Sequence, residues 1–284
     1  GALRKSPIDD REYDVFALDN GLKVLVISDA DTDMAAAALN VNVGQFSDPM
    51  DRQGLAHFLE HMLFLGSAKY PDVDTYRKFI REHGGRSNAG TGQERTLYYF
   101  QIEHAHFEPG LDRFAQFFIS PSMDPLYVQR EREAVNSEYS LKIKDDARRY
   151  REVRRKTSNP KHPFYKFSVG NLETLADAPK GPVLDDLKAF YAREYSASRM
   201  ALAVLGRESV ADLRAMVKAK FGTVPTHGKA AEISQEPPFL DDQKGVLIKV
   251  VPLANIRRVE VQFPAPSELP HFRERPGQIL RFIL

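Results

Sequence analysis

The stretch His57-Phe58-Leu59-Glu60-His61 decides how this chain is read. It lies in a run, 53–65, whose apolar residues recur at helical spacing. A helix brings residues three and four apart onto one face. His57 and His61 can therefore meet at one point, with Glu60 beside it. Two imidazoles and a carboxylate around one spot are the minimal parts of a hydrolytic metal centre. The competing reading makes them ordinary helix residues, one partly buried and one solvated, so the neighbouring sequence must choose.

A catalytic zinc takes three protein ligands and leaves a fourth position for water. The stretch 124–144 reads as a long charged helix carrying Glu131, Glu133 and Glu138. Glu131 and Glu138 are two turns apart and share a face, whereas Glu133 points elsewhere, into solvent. Spacing does not choose between Glu131 and Glu138. The order H-x-x-E-H is that of the inverzincins. With Met62-Leu63-Phe64-Leu65-Gly66-Ser67 and Lys69-Tyr70-Pro71, it resembles the signature of the pitrilysin/insulysin family of inverted-motif zinc peptidases. The resemblance runs from about residue 13 to 263, and a bacterial member is expected. It implies one Zn2+ per chain held by His57, His61 and Glu138, the last within Asn136-Ser137-Glu138. It also implies that Glu131 supports a ligand from behind without binding zinc. Glu60 then serves as the general base for the attacking water.

After Gly84-Gly85, the run Arg86-Ser87-Asn88-Ala89-Gly90-Thr91-Gly92 is small, polar and glycine-rich, which suits an edge strand. Residues 96–102 are aromatic and β-branched and read as its partner. A free edge can take an extended peptide as a further strand, although a plain hairpin has the same pattern. The resemblance places Asn88 and Ala89 in a strand that holds substrate beside the zinc. Phe64 is expected to line an apolar pocket there, or else to be a core phenylalanine. His83, His104, His106, His162, His227 and His271 form no second ligand cluster; His104 and His106 are read as solvated, at a strand-to-helix turn. The loop 159–164 and the loop 170–175 also resemble the family, the latter as a structural loop and helix start. The basic run 148–156 is interspersed with Asp145, Asp146 and Glu152, which reads as a solvated helix face.

Around these motifs the chain folds as α+β, a mixed or antiparallel sheet packed with helices. Strands are expected at 13–18, 22–28, 34–43 and 201–205, with Asp19-Asn20-Gly21 as a hairpin turn. Helices are expected at 53–65, 73–82, 108–118, 125–150 and 210–221. Residues 1–226 form the zinc-binding domain and 227–240, with Pro237-Pro238, a linker. A second similar domain begins over 241–284, with strands at 245–251 and 259–263. The 284 residues carry 40 basic and 39 acidic side chains, a net charge of +1, which gives no case for nucleic acid or anionic membrane as partner. No apolar run is long enough for a transmembrane helix. The absence of cysteine excludes disulfides and thiolate ligands.

The chain stops inside an amphipathic pattern at 278–284, so an N-terminal fragment of a longer protein is expected. The resemblance implies that the other half supplies an arginine and a tyrosine that grip the substrate and stabilise its oxyanion. The fragment is then expected to bind zinc with weak activity or none. Peptides or small unfolded proteins are the expected substrates, and the C-terminal half of the same protein the expected partner, with homodimer formation through the exposed surface as a further expectation. The family suggests a periplasmic or secreted location, with the cytoplasm as the alternative. A non-catalytic peptide-binding or assembly subunit is the competing function. A purely structural zinc fits poorly, because Glu60 would then have no role.

Overall fold

The computed structural model describes residues 5–177, 179, 181–227, 234, 236–263 and 265–283. The chain divides into two units, Gly1–Lys249 and Val250–Leu284. The first unit is built on strands β1 (Glu12–Ala17), β2 (Lys23–Ser28), β3 (Met34–Val41), β4 (Arg86–Thr91), β5 (Thr96–Glu103) and β6 (Met200–Gly206). They form one sheet in the order β1-β2-β6-β3-β5-β4. Only β2 and β6 run parallel, so the sheet is mixed. The β1–β2 hairpin turns where expected. Gly21 takes φ +87°, open to glycine at no steric cost, and the Asn20 side chain accepts a hydrogen bond from the Leu22 N–H.

Burial alternates along β3 and β5, which gives the sheet one core face. Val24, Val26, Ala37, Leu39, Tyr98, Phe100, Leu202 and Val204 are all buried. The helices of this unit are α1 (Leu55–Leu63), α2 (Thr75–Glu82), α3 (Phe107–Ile119), α4 (Pro125–Lys142), α5 (Asp146–Lys156), α6 (Val183–Glu194) and α7 (Val210–Phe221). Helix α3 lies on the core face, its Phe114 and Phe118 rings 5.2 and 5.4 Å from those of Phe100 and Tyr98. The Tyr98–Phe118 contact is edge-to-face, a geometry that stabilises beyond the area it buries.

Three expectations about helices are corrected. The helix expected over 125–150 is two helices, because Asp145 adopts extended backbone and its carboxylate accepts from the Arg148 N–H, capping a new N-terminus. Arg155, expected on a solvated face, is buried and paired with Glu152. No helix starts at 170–175; those residues form turns, and the next helix is α6. Helix α6 was legible in principle: Val183, Leu187 and Phe190 recur at helical spacing behind Pro182, with Asp185 and Asp186 in the first turn.

In the second unit, α8 (Pro276–Ile283) is a helix. The strands expected at 245–251 and 259–263 do not form. Their apolar pattern suits strands, but an isolated two-stranded pair is marginal at best in water. Residues 228–233 and 235 of the expected linker lie outside the described residues. Its end is tied into the first unit, since Pro237 and Pro238 carbonyls accept from the Asn159 side chain and backbone at 2.8 and 2.9 Å.

Candidate metal centre

Helix α1 starts at Gly54, whose φ of +94° sets the entry angle. Its first turn is capped from a distance. The buried Asp48 carboxylate accepts from the N–H groups of Gly54 and Ala56 at 2.8 and 2.7 Å. Those donors would otherwise have no partner inside the helix. Burial pushes the Asp48 carboxyl up to about 7, against the two N–H groups and the nearby Lys166 ammonium, which favour its charged form. Leu55, Phe58, Leu59, Met62 and Leu63 anchor α1 in the core. The remaining stripe presents His57, Glu60 and His61.

Helix α4 begins at Asp124, which caps it, with Pro125 in the first turn. Its buried residues are Val128 and Val135. Glu131 and Glu138 follow these valines by three residues each and so lie on the same stripe. That stripe faces α1. His57 Nε2 and His61 Nε2 each lie 3.6 Å from an oxygen of Glu138. The three side chains offer ligand atoms all within 4.8 Å of one another. Glu131 meets the other nitrogen, His61 Nδ1, at 3.3 Å. The structure thus separates two glutamates that spacing could not, one at the shared point and one behind His61.

The remaining nitrogen of His57, Nδ1, lies 2.7 Å from the Val169 carbonyl oxygen. A carbonyl only accepts, so Nδ1 carries the proton and Nε2 is left with its lone pair toward Glu138. Burial, then the adjacent His61, hold the His57 imidazolium pKa below its ordinary value, which favours the neutral, ligating form. Burial opposes ionisation of Glu131, but the hydrogen bonds from His61 and Arg130 outweigh it and keep its pKa below the usual range.

The donor set fits zinc. With one ligand atom from each residue, His57, His61 and Glu138 lie within 4.8 Å of one another, a spread that small side-chain adjustments bring to zinc bonds of about 2.0–2.1 Å. Two imidazole nitrogens and one carboxylate leave a fourth position, as in hydrolytic zinc sites. Among the described residues no other group of three candidate ligands is found.

Glu60 is buried, and its Oε2 accepts a hydrogen bond from Thr91 Oγ1 at 2.5 Å. Thr91 ends β4, the terminal strand of the sheet. Sequence reading quoted Thr91 but gave it no part. Strand alternation puts it on the face of Ala89, yet nothing local shows that this face meets α1. Ala89 packs partly buried against the core, while Asn88 is exposed on the opposite face. Asn88 also borders a groove of about 660 Å³ on the outer sheet face, lined by Ala36, Ala38, Leu97, Tyr99, Ala203 and Leu205. That groove is separate from the histidines. Phe64 is 4% exposed within an aromatic cluster with Tyr76 and Phe117, and the Arg77 guanidinium sits over its ring. Its burial favours the core role of the two considered.

Comparison with known proteins agrees with this arrangement. Residues 23–161 match the family model "Insulinase (Peptidase family M16)" and residues 183–284 match "Peptidase M16 inactive domain". The chain is 44% identical to the insulin-degrading enzyme of Homo sapiens over 285 residues, covering 99% of this chain and 28% of that protein. It is 38% identical to the A-factor-processing enzyme of Saccharomyces cerevisiae, with the same shares covered. The crystal structure of pitrilysin superposes with a TM-score of 0.82 at 42% identity, over 85% of this chain and 26% of that one. The chain therefore spans a little over a quarter of the length of these relatives. Among the described residues no helix is long and apolar enough to cross a membrane. With both family models matched along its length and a metal-ligand cluster assembled from the inverted motif, the chain belongs to the insulinase/pitrilysin family, peptidase family M16.

Proposed function

We propose that this chain carries the zinc site of a metalloendopeptidase acting on peptides or small unfolded proteins. The observation that carries the reading is the convergence of His57 Nε2, His61 Nε2 and Glu138 on one point. His57, His61 and Glu138 would hold a single Zn2+. When bound, the ion supplies Lewis acidity and brings water near neutrality toward its ionised form. Glu60 accepts the proton of the attacking water and passes it to the leaving amine. Thr91 holds one Glu60 oxygen, so the other is the one free to take the proton. Glu131 orients His61. A peptide adds to the open edge of β4 by main-chain hydrogen bonds, near Asn88 and Ala89, which gives affinity with little sequence preference. Domain 1–226 contains all of these groups. The activity is proposed for the whole protein, since the chain spans 28% of the human relative.

Elemental analysis and a peptide-cleavage assay with and without chelator test this. Wild type should hold one zinc per chain, Glu60→Gln should keep the metal and lose turnover, and His57→Ala or Glu138→Ala should lose both. Zinc retained by His57→Ala at wild-type affinity would sink the ligand assignment. Stoichiometric zinc without chelator-sensitive cleavage by the whole protein would shift the reading to a peptide-binding subunit.

A further inference from the structure

The loop 167–175 has no part in the chemistry proposed above, yet it touches both ligand-bearing helices. Its Val169 carbonyl receives the His57 Nδ1–H at 2.7 Å. The Phe167 N–H donates to Gln53 Oε1, just ahead of α1, at 2.6 Å. The Leu172 N–H donates to Asn136 Oδ1 on α4, two residues before Glu138, at 3.3 Å. Gly170 is pressed against Gly54, where a Cβ on Gly54 would lie 2.3 Å from the Gly170 Cα. Gly170 itself has φ +85°, and a Cβ there would lie 3.1 Å from Leu175 Cδ1 and 3.4 Å from Val135 Cγ1 on α4. The loop is also braced internally. Asn171 Oδ1 accepts from the N–H groups of Glu173 and Thr174, and Thr174 Oγ1 accepts from the Asn171 N–H.

We infer that the loop 167–175 is a positioning clamp that fixes His57 for zinc and sets α1 against α4. The inference rests on the zinc reading of the site. Its physical basis is the tautomer. An imidazole ligates through the nitrogen without hydrogen, so whatever accepts the Nδ1–H dictates that Nε2 faces the ion. A backbone carbonyl does this at a fixed place only if the backbone is held. Here two glycines allow the loop to approach α1, and Gln53 and Asn136 hold it at both ends. The clamp gives a specific task to Gly170-Asn171-Leu172-Glu173-Thr174-Leu175, which the sequence marks only as a structural loop and helix start.

The test measures zinc affinity by chelator competition, together with the His57 tautomer by 15N-detected NMR of the metal-free protein. Gly170→Ala is expected to weaken zinc by about 10–100-fold, the usual range for loss of a partner behind a metal ligand. It should also reduce the Nδ1–H tautomer that dominates in wild type. Gln53→Ala and Asn136→Ala should each give a smaller loss in the same direction, and they keep the test alive if Gly170→Ala does not fold. Asp112→Asn, which disrupts the Lys69–Asp112 pair elsewhere, serves as a destabilised control with unchanged zinc affinity. A wild-type His57 in the Nε2–H tautomer would overturn the clamp. So would folded loop variants with wild-type affinity and tautomer. Failure of the wild type to bind zinc would defeat the zinc reading, while the tautomer in the metal-free protein would still judge the clamp.

Discussion

Replacing Asp48 by Asn should change how stability depends on pH, and the size follows from the cap of α1. Asp48 is 2% exposed and accepts from two backbone N–H groups. Its burial outweighs these bonds and the Lys166 charge and raises the carboxyl from its ordinary 3.8 to about 7. A group whose pKa is raised in the folded state stabilises the fold fully below its unfolded pKa. That contribution is lost as pH rises through the folded pKa. At about 1.4 kcal/mol per pH unit, the whole effect is about 4 kcal/mol, most of which, about 3 kcal/mol, falls between pH 5 and pH 8. Asn keeps one acceptor for the helix N-terminus and does not titrate. Urea denaturation of chelator-treated protein at pH 5, 6, 7 and 8 reads the difference. Wild type should lose about 3 kcal/mol relative to Asp48→Asn across that range. Parallel stability profiles would refute the reasoning and mean that the carboxylate is ionised throughout.

Other consequences can be checked on the same protein. Arg52 is 2% exposed, pairs with Asp186 and donates to the carbonyls of Ala176 and Gly181. Arg52→Met should cost about 3 kcal/mol in urea denaturation, because two carbonyls lose their donor while Asp186 keeps some water. Tyr98 and Tyr195 share a buried hydroxyl–hydroxyl bond of 2.8 Å, so Tyr98→Phe should cost about 1–2 kcal/mol by the same measurement. Zinc binding should stabilise the fold by linkage, about 2.7 kcal/mol at a free concentration 100 times Kd. Chelator should therefore lower the melting temperature of wild type and leave that of Glu138→Ala unmoved.

Much of this protein was legible along the chain. The 3.6-residue period of α1 brings His57, Glu60 and His61 together within one and a half turns, a property of local geometry that needs no tertiary contact. The same period put Glu131 and Glu138 on one face of α4, and aromatic and β-branched composition marked β5. The Asp19-Asn20-Gly21 turn named its own hairpin. Spacing stopped where residues had to be compared across the fold. Which glutamate meets the histidines depends on how far along its axis α4 crosses α1, and both candidates occupy the same stripe. The break at Asp145 depended on a cap that competes with helix continuation, a balance of about 1 kcal/mol that charge pattern alone does not weigh. Strand-like sequence at 245–251 and 259–263 forms no strand, because composition alone does not decide whether a ladder closes.

The sequence by itself determined the chemistry on offer: two imidazoles and a carboxylate one helical turn apart, and a second helix with spare glutamates. Only the tertiary structure decided the assignment of roles. It placed Glu138 opposite both Nε2 atoms and Glu131 behind His61. It brought the Thr91 hydroxyl to Glu60 across 31 residues and the Val169 carbonyl to His57 across 112. The physical reason is that local backbone geometry fixes which side chains share a face. Which groups face each other across a gap is set by the packing of separate elements on a common core.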